Sequence, residues 1–409
     1  MSVLYLVTDL EKDNWLKYIL AEFKRINGFE GEIQVLNIQD PAISKLEQVI
    51  FYTRDYHPKA KVAIVNRSDV FPDGVIDHIN DKIYVLQQTT TSDAQFALSY
   101  DIFWNAFVFL SRLEEYRFVE EGRNTLSHCI LHPRQDKVSL TVPIVNLLFN
   151  EVEILIRENF PQFSFRITPP ANIELSHDVD YLSKTAQFVM KQSILNTYDI
   201  FRFLFRGPDT LKSMRKAVSF LFSRPSYWCF DYWENIEKQF NFRSTFYIHA
   251  KAIPKNFATW IIDPNYDLHN NPQLQNKLRY LKAEGFELGL HGSFLSAVDG
   301  ALLKKEKEVL EGVLQHPVSK IRQHWLRFNE KTTPYIHNEL FQYDSTLGWN
   351  DRVGFRNGCA SLFHPYDHHN DKAFDYWEIP QIIMDFNIYQ SLEVENIYFI
   401  DRVFRILDT

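Results

Sequence analysis

Short apolar runs alternate with helical stretches from residue 166 to residue 409, and this alternation restricts the fold more than any other feature of the chain. The runs carry polar residues in or near their second halves and are, in order, IELSHDVD, RSTFYIHA, FELGLHGS, IRQHWLRF and EIPQIIMD. Amphipathic segments lie between them, among them YWENIEKQF, NKLRYLKAEG and KKEKEVLEGVL. This alternation predicts parallel strands that are joined by helices and closed into a β/α barrel. Functional side chains of such barrels gather at the carboxyl ends of the strands, where the polar residues of these runs also lie.

A smaller α/β module of unknown role is predicted for residues 1–165. Three segments have the length and composition of strands: VLYLVT, KVAIVN and KIYVLQQ. Two have the spacing of amphipathic helices, NWLKYILAEFKRI and IVNLLFNEVEILIREN, and DAQFALSYDIFWNAFVFLSRLEEY predicts one long helix or two adjoining ones. Because Pro169 and Pro170 interrupt regular structure, we place the domain boundary near residue 165. A chain of 409 residues is also too long for one ordinary core.

The charge and the cysteine content exclude several classes of function. A net charge of −8 provides no basic footprint for nucleic acid. Cys129, Cys229 and Cys359 lie too far apart for a CxxC zinc motif, so we expect three buried, reduced thiols. The apolar run at the start is too short for the core of a signal peptide, and no stretch approaches the roughly 18 apolar residues of a membrane span. We therefore expect a cytoplasmic protein.

Two aspartates close the first run of the repeating pattern, in the stretch IELSHDVDYL. Asp178 and Asp180 are two residues apart, so in a strand they project from one face, while His177 and Val179 project from the other. Two carboxylates on one face repel each other unless a positive charge lies beside them. A solvated strand end is the alternative, but the position at the end of a predicted strand favours a functional site.

Residues 184–224 interrupt the pattern with two helical pieces around RGPD. The segment is rich in cations without a matching share of acids, and its cations are Lys191, Arg202, Arg206, Lys212, Arg215, Lys216 and Arg224. A basic amphipathic hairpin can lie on an anionic membrane surface or bind an anionic substrate. A solvated face over a packed apolar face explains the same composition, and both interpretations stay open.

Five motifs of the second region resemble those of a known family when they are taken in order and spacing: SHDVD, STFYIHA, GFELGLHGSFLS, IRQHWLRF and YDSTLGW. They resemble the polysaccharide deacetylases of the NodB-homology type, carbohydrate esterase family 4, over roughly residues 170 to 409. The first module resembles an uncharacterised N-terminal module that accompanies such domains in bacterial surface polysaccharide loci. The resemblance implies a distorted β/α barrel that binds a divalent metal, often zinc, through one aspartate and two histidines.

The resemblance also implies roles for four residues. Asp178 matches the catalytic base, and Arg322 matches the arginine that orients this base. Asp180 matches the metal-binding aspartate, and His291 matches the first metal-binding histidine. A divalent metal lowers the pKa of bound water to roughly 7 and so supplies a nucleophile at neutral pH, while a neighbouring carboxylate takes the proton.

Two positions depart from the family pattern. Leu295 stands where the family has its second metal-binding histidine, and His324 is our candidate for the third metal ligand instead. His324 on an apolar strand is also consistent with a core histidine whose hydrogen bonds are satisfied, so both roles stay open. The chain ends in FIDRVFRILDT, which predicts a helix, where the family usually has a strand with a Leu-x-His motif that supplies the general acid.

Three further residues are candidates for contact with substrate. Trp325 and Trp349 could stack on a sugar ring, and Arg356 could bind a carboxylate or phosphate of a glycan. Packing of the tryptophans and a surface ion pair for Arg356 are equally consistent with the sequence.

The sequence as a whole favours a metal-dependent N-deacetylase that acts on an N-acetylated sugar of a glycan or its precursor, with zinc as the expected metal. A cytoplasmic location would favour a nucleotide-linked or lipid-linked precursor, and the basic insertion would then contact a membrane surface. The main alternative is a non-catalytic carbohydrate-binding or assembly protein that retains a degenerate deacetylase barrel. A metal-dependent hydrolase of another bond is the third hypothesis.

Overall fold

Two compact units make up the chain in the computed structural model. It describes residues 2–68, 76–79, 83–86, 95–98, 100–120, 127–132, 134, 139–167, 172–202, 208–223, 226–252 and 257–387. Unit 1 comprises Met1–Ala171 together with Trp325–Thr409, and unit 2 comprises Asn172–His324. The expected boundary near residue 165 lies close to the first change of unit, but nothing in the sequence pattern indicated the second one. Pro169, Pro170 and the helix predicted in FIDRVFRILDT lie outside the described residues.

The first segment of unit 1 is a parallel sheet with helices. Its elements are β1 (Val3–Thr8), α1 (Asn14–Ile26), β2 (Glu32–Asn37), β3 (Val49–Thr53), β4 (Val62–Val65), β5 (Ile76–Ile79), β6 (Ile83–Leu86), α2 (Ile102–Leu110), α3 (Leu113–Glu120) and α4 (Ile144–Asn159). Strands β1 to β4 are parallel in the order β2-β1-β3-β4. The strand predicted in KIYVLQQ forms, but it pairs antiparallel with β5. The long apolar segment that follows forms two adjoining helices, α2 and α3.

Unit 2 contains four parallel strands and six helices among the residues that the structure describes. They are β7 (Ser176–Val179), α5 (Ala186–Arg202), α6 (Pro208–Phe222), α7 (Phe230–Gln239), β8 (Thr245–Ile248), α8 (Phe257–Ile262), α9 (Pro272–Ala283), β9 (Glu287–Gly292), α10 (Gly300–Leu314) and β10 (Lys320–Gln323). The strand order is β7-β8-β9-β10, and each strand pairs in parallel with the next. These strands coincide with four of the five predicted runs.

The prediction of an α/β fold with parallel strands is confirmed, whereas no closed barrel is found within the described part of the chain. A β/α barrel of the common kind closes with eight strands. The last predicted run, EIPQIIMD, contributes only its first residue to a two-residue strand, Trp377–Glu378, and shows no further strand before Asp385. The backbone N–H groups of Ile379 and Gln381 donate to the carbonyl oxygens of Asp344 and Leu347, so Pro380 does not interrupt the hydrogen bonds on this side, and the short strand lies at the edge of its sheet.

The described part of the second segment of unit 1 contains a helix and four short strands, and a further helical stretch begins at residue 385. The helix and the strands are α11 (Thr333–Leu340), β11 (Tyr343–Asp344), β12 (Tyr366–Asp367), β13 (Lys372–Ala373) and β14 (Trp377–Glu378). Strand β11 pairs in parallel with β14, and β12 pairs antiparallel with β13.

Buried ion pairs and a shared core attach this second segment to the first. Arg112 donates two hydrogen bonds of 2.9 Å to the carboxylate of Glu330, and both side chains are buried. Apolar side chains such as Phe328 and Phe363 belong to the same core as those of α1, α2 and α4. Removing one partner of a buried ion pair costs several kcal/mol, about 3–5 by typical measurements, so these contacts make the two segments interdependent.

The structure can be compared with two further expectations, the burial of the three cysteines and the absence of a membrane span. Cys129 and Cys359 are buried as expected, but Cys229 is exposed. Among the described residues, no helix combines the length and the apolar character needed to cross a membrane.

Candidate metal centre

The functional candidates of unit 2 share one face of its sheet. In the strand register, Asp178 pairs with Tyr247, and Arg322 pairs with His291. Residues that pair across parallel strands, and residues two apart along one strand, project to the same side. Asp178, His291 and Arg322 therefore point to the face of Tyr247. His177 points to the opposite face, where its Nε2 lies 2.5 Å from Glu237 Oε1.

Three potential ligand atoms converge at the carboxyl end of this sheet. His291 Nε2 lies 3.4 Å from Asp180 Oδ1, and His324 Nδ1 lies 3.6 Å from the same oxygen. The two histidine nitrogens are 3.0 Å apart. Ligand atoms around a tetrahedral zinc ion with bonds of about 2.0–2.1 Å lie about 3.3 Å from one another. The triangle of atoms therefore has the size of one face of such a coordination shell.

Backbone carbonyls determine which nitrogen of each ring faces this triangle. His291 Nδ1 donates to the carbonyl oxygen of Arg322 at 3.0 Å, and His324 Nε2 donates to that of Ile262 at 3.0 Å. Because a carbonyl only accepts, each neutral ring carries its proton on the outer nitrogen and directs a lone pair at the other ring. Asp180 Oδ1 is buried and makes no hydrogen bond to the described residues. Three acceptors that meet in this way require a positive charge between them, so the residues fit a divalent metal.

The electrostatics of the cluster favour the ligand forms of the aspartate and of one histidine. Burial raises the pKa of Asp180, but His324, His291 and Lys191 outweigh it and hold the pKa well below the usual range. Burial lowers the pKa of His324 to about 4, so this ring is neutral near pH 7. Burial also lowers the pKa of His291, yet Asp178 and Asp180 more than compensate and raise it.

Asp178 and Arg322 form an ion pair beside the cluster. Arg322 Nη1 donates to Asp178 Oδ1 at 2.9 Å, and the guanidinium carbon lies 4.3 Å from the centre of the Tyr247 ring. Gly289 makes room for this stack, because a Cβ at that position would lie 2.6 Å from the tyrosine ring. The arginine is buried while a quarter of the Asp178 side chain is exposed, so the carboxylate remains accessible to a small molecule.

Some neighbours of the cluster were not identified as site residues from the sequence. Lys191 on α5 donates to the hydroxyl of Tyr181 at 3.2 Å and lowers the pKa of Asp180. Asp263 Oδ1 accepts a 2.7 Å hydrogen bond from the backbone N–H of Phe294, and His249 Nδ1 lies 3.3 Å from the carbonyl oxygen of His291. The only sequence signal for them was position: His249 follows the run STFYI in the same way that His291 ends the next one.

The three substrate-contact candidates belong to unit 1 and differ in exposure. Trp325 is 46% exposed and adopts a positive φ of 62°. Trp349 is buried, and the guanidinium of Arg356 lies 5.2 Å from its ring centre. Arg356 is itself buried and donates to both carboxylate oxygens of Glu115. Packing and ion pairing therefore account for Trp349 and Arg356, and only Trp325 presents a large exposed ring.

Leu295, at the position of the family's second histidine, is 40% exposed and precedes a short 3-10 turn, Ser296–Val298. The structure thus places His324, and not residue 295, beside His291 and Asp180.

Comparisons with known proteins provide little further information. No family model matches the chain, and no curated protein matches it. A crystal structure of a Mycobacterium smegmatis protein, provisionally described as a polysaccharide deacetylase, is similar to 53% of this chain at 17% sequence identity and a TM-score of 0.29. The match covers 60% of that protein, which is less than two thirds of its length. Similarity this low supports neither a fold nor an activity, so the chemistry proposed below rests on the geometry of the site.

Proposed function

We propose that this protein is a metal-dependent N-deacetylase that hydrolyses the acetamido group of an N-acetylated sugar. One observation carries the proposal: three acceptor atoms, from Asp180, His291 and His324, converge beside the Asp178–Arg322 ion pair. Hydrolysis of an amide at neutral pH requires an electrophilic site and a base within reach of one water molecule. Unit 2 provides candidates for both on one face of its sheet.

Asp180, His291 and His324 would hold the metal, and one carboxylate with two imidazoles is a ligand set that suits zinc. When bound, the metal supplies a Lewis acid that polarises the acetyl carbonyl and makes water more acidic.

Asp178 is proposed as the base. Arg322 holds Oδ1 of this carboxylate, so Oδ2 is oriented to accept a proton from water as the water oxygen adds to the acetyl carbon. The carbon–nitrogen bond then breaks, and Asp178 can return the proton to the amine. The products are acetate and the free amino sugar.

The substrate and the surroundings of the enzyme are also proposals. We favour a glycan or its nucleotide-linked or lipid-linked precursor, with Trp325 as the candidate for stacking on a sugar and a cytoplasmic location. We also propose that unit 2 is an open counterpart of the deacetylase-like barrel, with residues 184–224 as its basic insertion.

Acetate release from N-acetylated oligosaccharides and precursors, measured together with the metal content of the purified protein, tests the proposal. Asp178→Asn keeps the size of the side chain but removes its basicity, so we expect unchanged metal content and a rate lower by about 100- to 10,000-fold. Asp180→Asn removes a charged ligand, so we expect both metal and activity to fall.

Asp231→Asn is the matched control, because Asp231 is an exposed carboxylate of the same unit, and we expect it to retain activity. Wild-type turnover in Asp178→Asn would refute the assignment of the base. Tight binding of a precursor without any acetate release by the wild-type protein would instead establish the carbohydrate-binding alternative.

A further inference from the structure

The helical hairpin formed by α5 and α6 exposes its large apolar side chains. Apart from Phe222, the exposed last residue of α6, these follow at intervals of four and three residues in α5 and of three, four and three in α6: Ile194, Tyr198 and Phe201, then Leu211, Met214, Val218 and Leu221. All seven are about half exposed or more, and Phe201 is 68% exposed. These intervals place each set on one side of its helix. We call these seven residues the hairpin face.

The side of α6 that faces the protein is less apolar than the side that faces solvent. Its partly buried residues include Ser213, Ala217 and Phe220, again at helical spacing. In α5, the buried residues include Gln187 and Asn196. A helix packed on a soluble core normally shows the opposite arrangement. The two helices pack on each other through Phe188 and Phe220, and the solvent side of α6 is nevertheless more apolar than a solvated helix face normally is.

Hydrogen bonds at one end of the hairpin join its two helices to each other and to the rest of unit 2. Lys184 donates to carbonyl oxygens at the end of α6, those of Phe220, Leu221 and Ser223. Gln187 donates to the backbone carbonyl oxygens of Trp260 and Asp263. These contacts hold the hairpin in place, so its apolar side chains are presented by a defined structure.

Cations border the hairpin face on α6. At about 100° per residue, Lys212, Arg215 and Lys216 lie to one side of the apolar stripe, and all three are exposed. Residues 210–223 contain no acid, whereas the whole chain has a net charge of −8. Exposed apolar side chains beside exposed cations complement a surface of acyl chains beneath anionic headgroups.

Two alternatives are less suitable than a lipid surface. A second copy of the protein does not match the charge of the hairpin, and the two helices are too short to span a membrane. A symmetric contact with a second copy would add two cationic segments of the same sign to one interface, and neither hairpin offers acids from residue 210 to residue 223 to neutralise them. Helices of 17 and 15 residues are about 22–26 Å long, shorter than the roughly 30 Å of a hydrocarbon core. We propose that the hairpin face docks unit 2 on an anionic lipid surface, with α5 and α6 lying in the plane of the headgroups. This inference does not depend on catalysis.

Co-sedimentation of the full-length protein with vesicles tests the inference. We expect binding to vesicles of phosphatidylcholine with about 30% phosphatidylglycerol, weaker binding to phosphatidylcholine alone, and a loss of binding in high salt because the charges are screened. Val218→Glu with Leu221→Glu introduces charge at exposed positions and should abolish binding. Each lysine near an anionic surface contributes about fivefold in affinity, so Lys212→Glu with Lys216→Glu should weaken binding at least about 25-fold.

Two controls match these variants. Ile154→Glu changes an exposed aliphatic residue on α4 of unit 1, and Lys304→Glu with Lys305→Glu reverses two exposed cations on α10. Both should bind vesicles as the wild type does. The variant with Val218→Glu and Leu221→Glu is checked for folding by circular dichroism. If it does not fold, the variant with Lys212→Glu and Lys216→Glu decides whether the hairpin binds the vesicles. The inference is wrong if the wild-type protein does not co-sediment with anionic vesicles. It is also wrong if the protein is a dimer in solution that Val218→Glu dissociates. Acetate release is measured separately, so failure of this inference is distinguishable from failure of the proposed enzyme.

Discussion

The two histidines of the cluster present different nitrogens to the same point. His291 uses Nε2 and His324 uses Nδ1, because the carbonyls of Arg322 and Ile262 accept hydrogen bonds from the other nitrogens. A carbonyl partner fixes both the tautomer and the ring orientation, as it does around metal sites in general. The coordinating lone pairs are therefore in place before any metal binds.

His324→Ala should weaken zinc binding by more than about 100-fold, since even the loss of a hydrogen bond to a ligand costs about 10- to 100-fold. Competition with a chromophoric chelator measures the affinity, and circular dichroism checks the fold. His269→Ala is the control, because His269 is an exposed histidine of unit 2. Unchanged zinc affinity in His324→Ala would return His324 to a structural role.

Some individual residues of the candidate site could be predicted from the sequence. Asp178, Asp180, His291 and Arg322 each stand at a predicted strand end within an ordered set of motifs, and the structure brings them together. The sequence left His324 with two alternatives, because ligand and core histidines look the same in an apolar run. Lys191 could not be assigned to the site, because its proximity to Asp180 depends on how α5 packs.

Helix α10 contains a buried glutamate, Glu306. Glu306 Oε2 accepts a hydrogen bond of 3.1 Å from the backbone N–H of Ser293, which follows β9. Burial raises the pKa of Glu306 from 4.5 to about 7. The folded protein then holds a proton that the unfolded chain releases between pH 4.5 and 7. The free energy of unfolding therefore decreases as the pH rises through this range.

Glu306→Gln resembles the protonated form and should remove this pH dependence. We expect the variant to exceed the wild type in stability at pH 8 by about 3 kcal/mol and to approach it near pH 4.5. Urea unfolding at both pH values measures the difference. Glu308→Gln, an exposed position of the same helix, should leave the pH dependence of the wild type intact. A constant difference between Glu306→Gln and wild type at both pH values would contradict the assigned pKa.

Elements with clear periodicity were predictable, and elements defined by pairing were not. The bounds of α1 and α4 coincide with the amphipathic segments, β7 to β9 lie within the predicted apolar runs, and β10 begins one residue before its run. EIPQIIMD had a suitable composition, but only its first residue belongs to a strand, Trp377–Glu378. Closure of a barrel depends on how many strands pair, and composition alone does not determine that number.

The whole molecule is divided differently from the sequence pattern. Residues 325–409 group with the first module because of contacts such as Arg112 with Glu330 and Arg356 with Glu115. Charged residues more than 200 positions apart leave no periodic signal, so this association could not be predicted. The motifs in contrast predicted that the site residues would lie in one region, and Asp178, Asp180, His291, Arg322 and His324 all belong to unit 2.

A metal that binds only folded unit 2 should raise the stability of that unit. Zinc at about 100 times its dissociation constant would add about 2.7 kcal/mol, or about 5–10 °C for a unit of this size. Differential scanning calorimetry with zinc and with a chelator measures the shift. Asp180→Asn should show no zinc-dependent shift, and an equal shift in wild type and variant would place the metal elsewhere.

The discontinuity of unit 1 has a consequence for protein synthesis. A ribosome that adds about 5–20 residues per second needs about 10–30 s to proceed from residue 171 to residue 325. During this interval unit 2 emerges as one uninterrupted stretch, while α1, α2 and α4 still lack Phe328, Phe363 and the other apolar residues that complete their core. The nascent chain therefore finishes its second unit before its first, and its amino-terminal part keeps an apolar surface that chaperones can bind until Phe328, Phe363 and Tyr366 emerge.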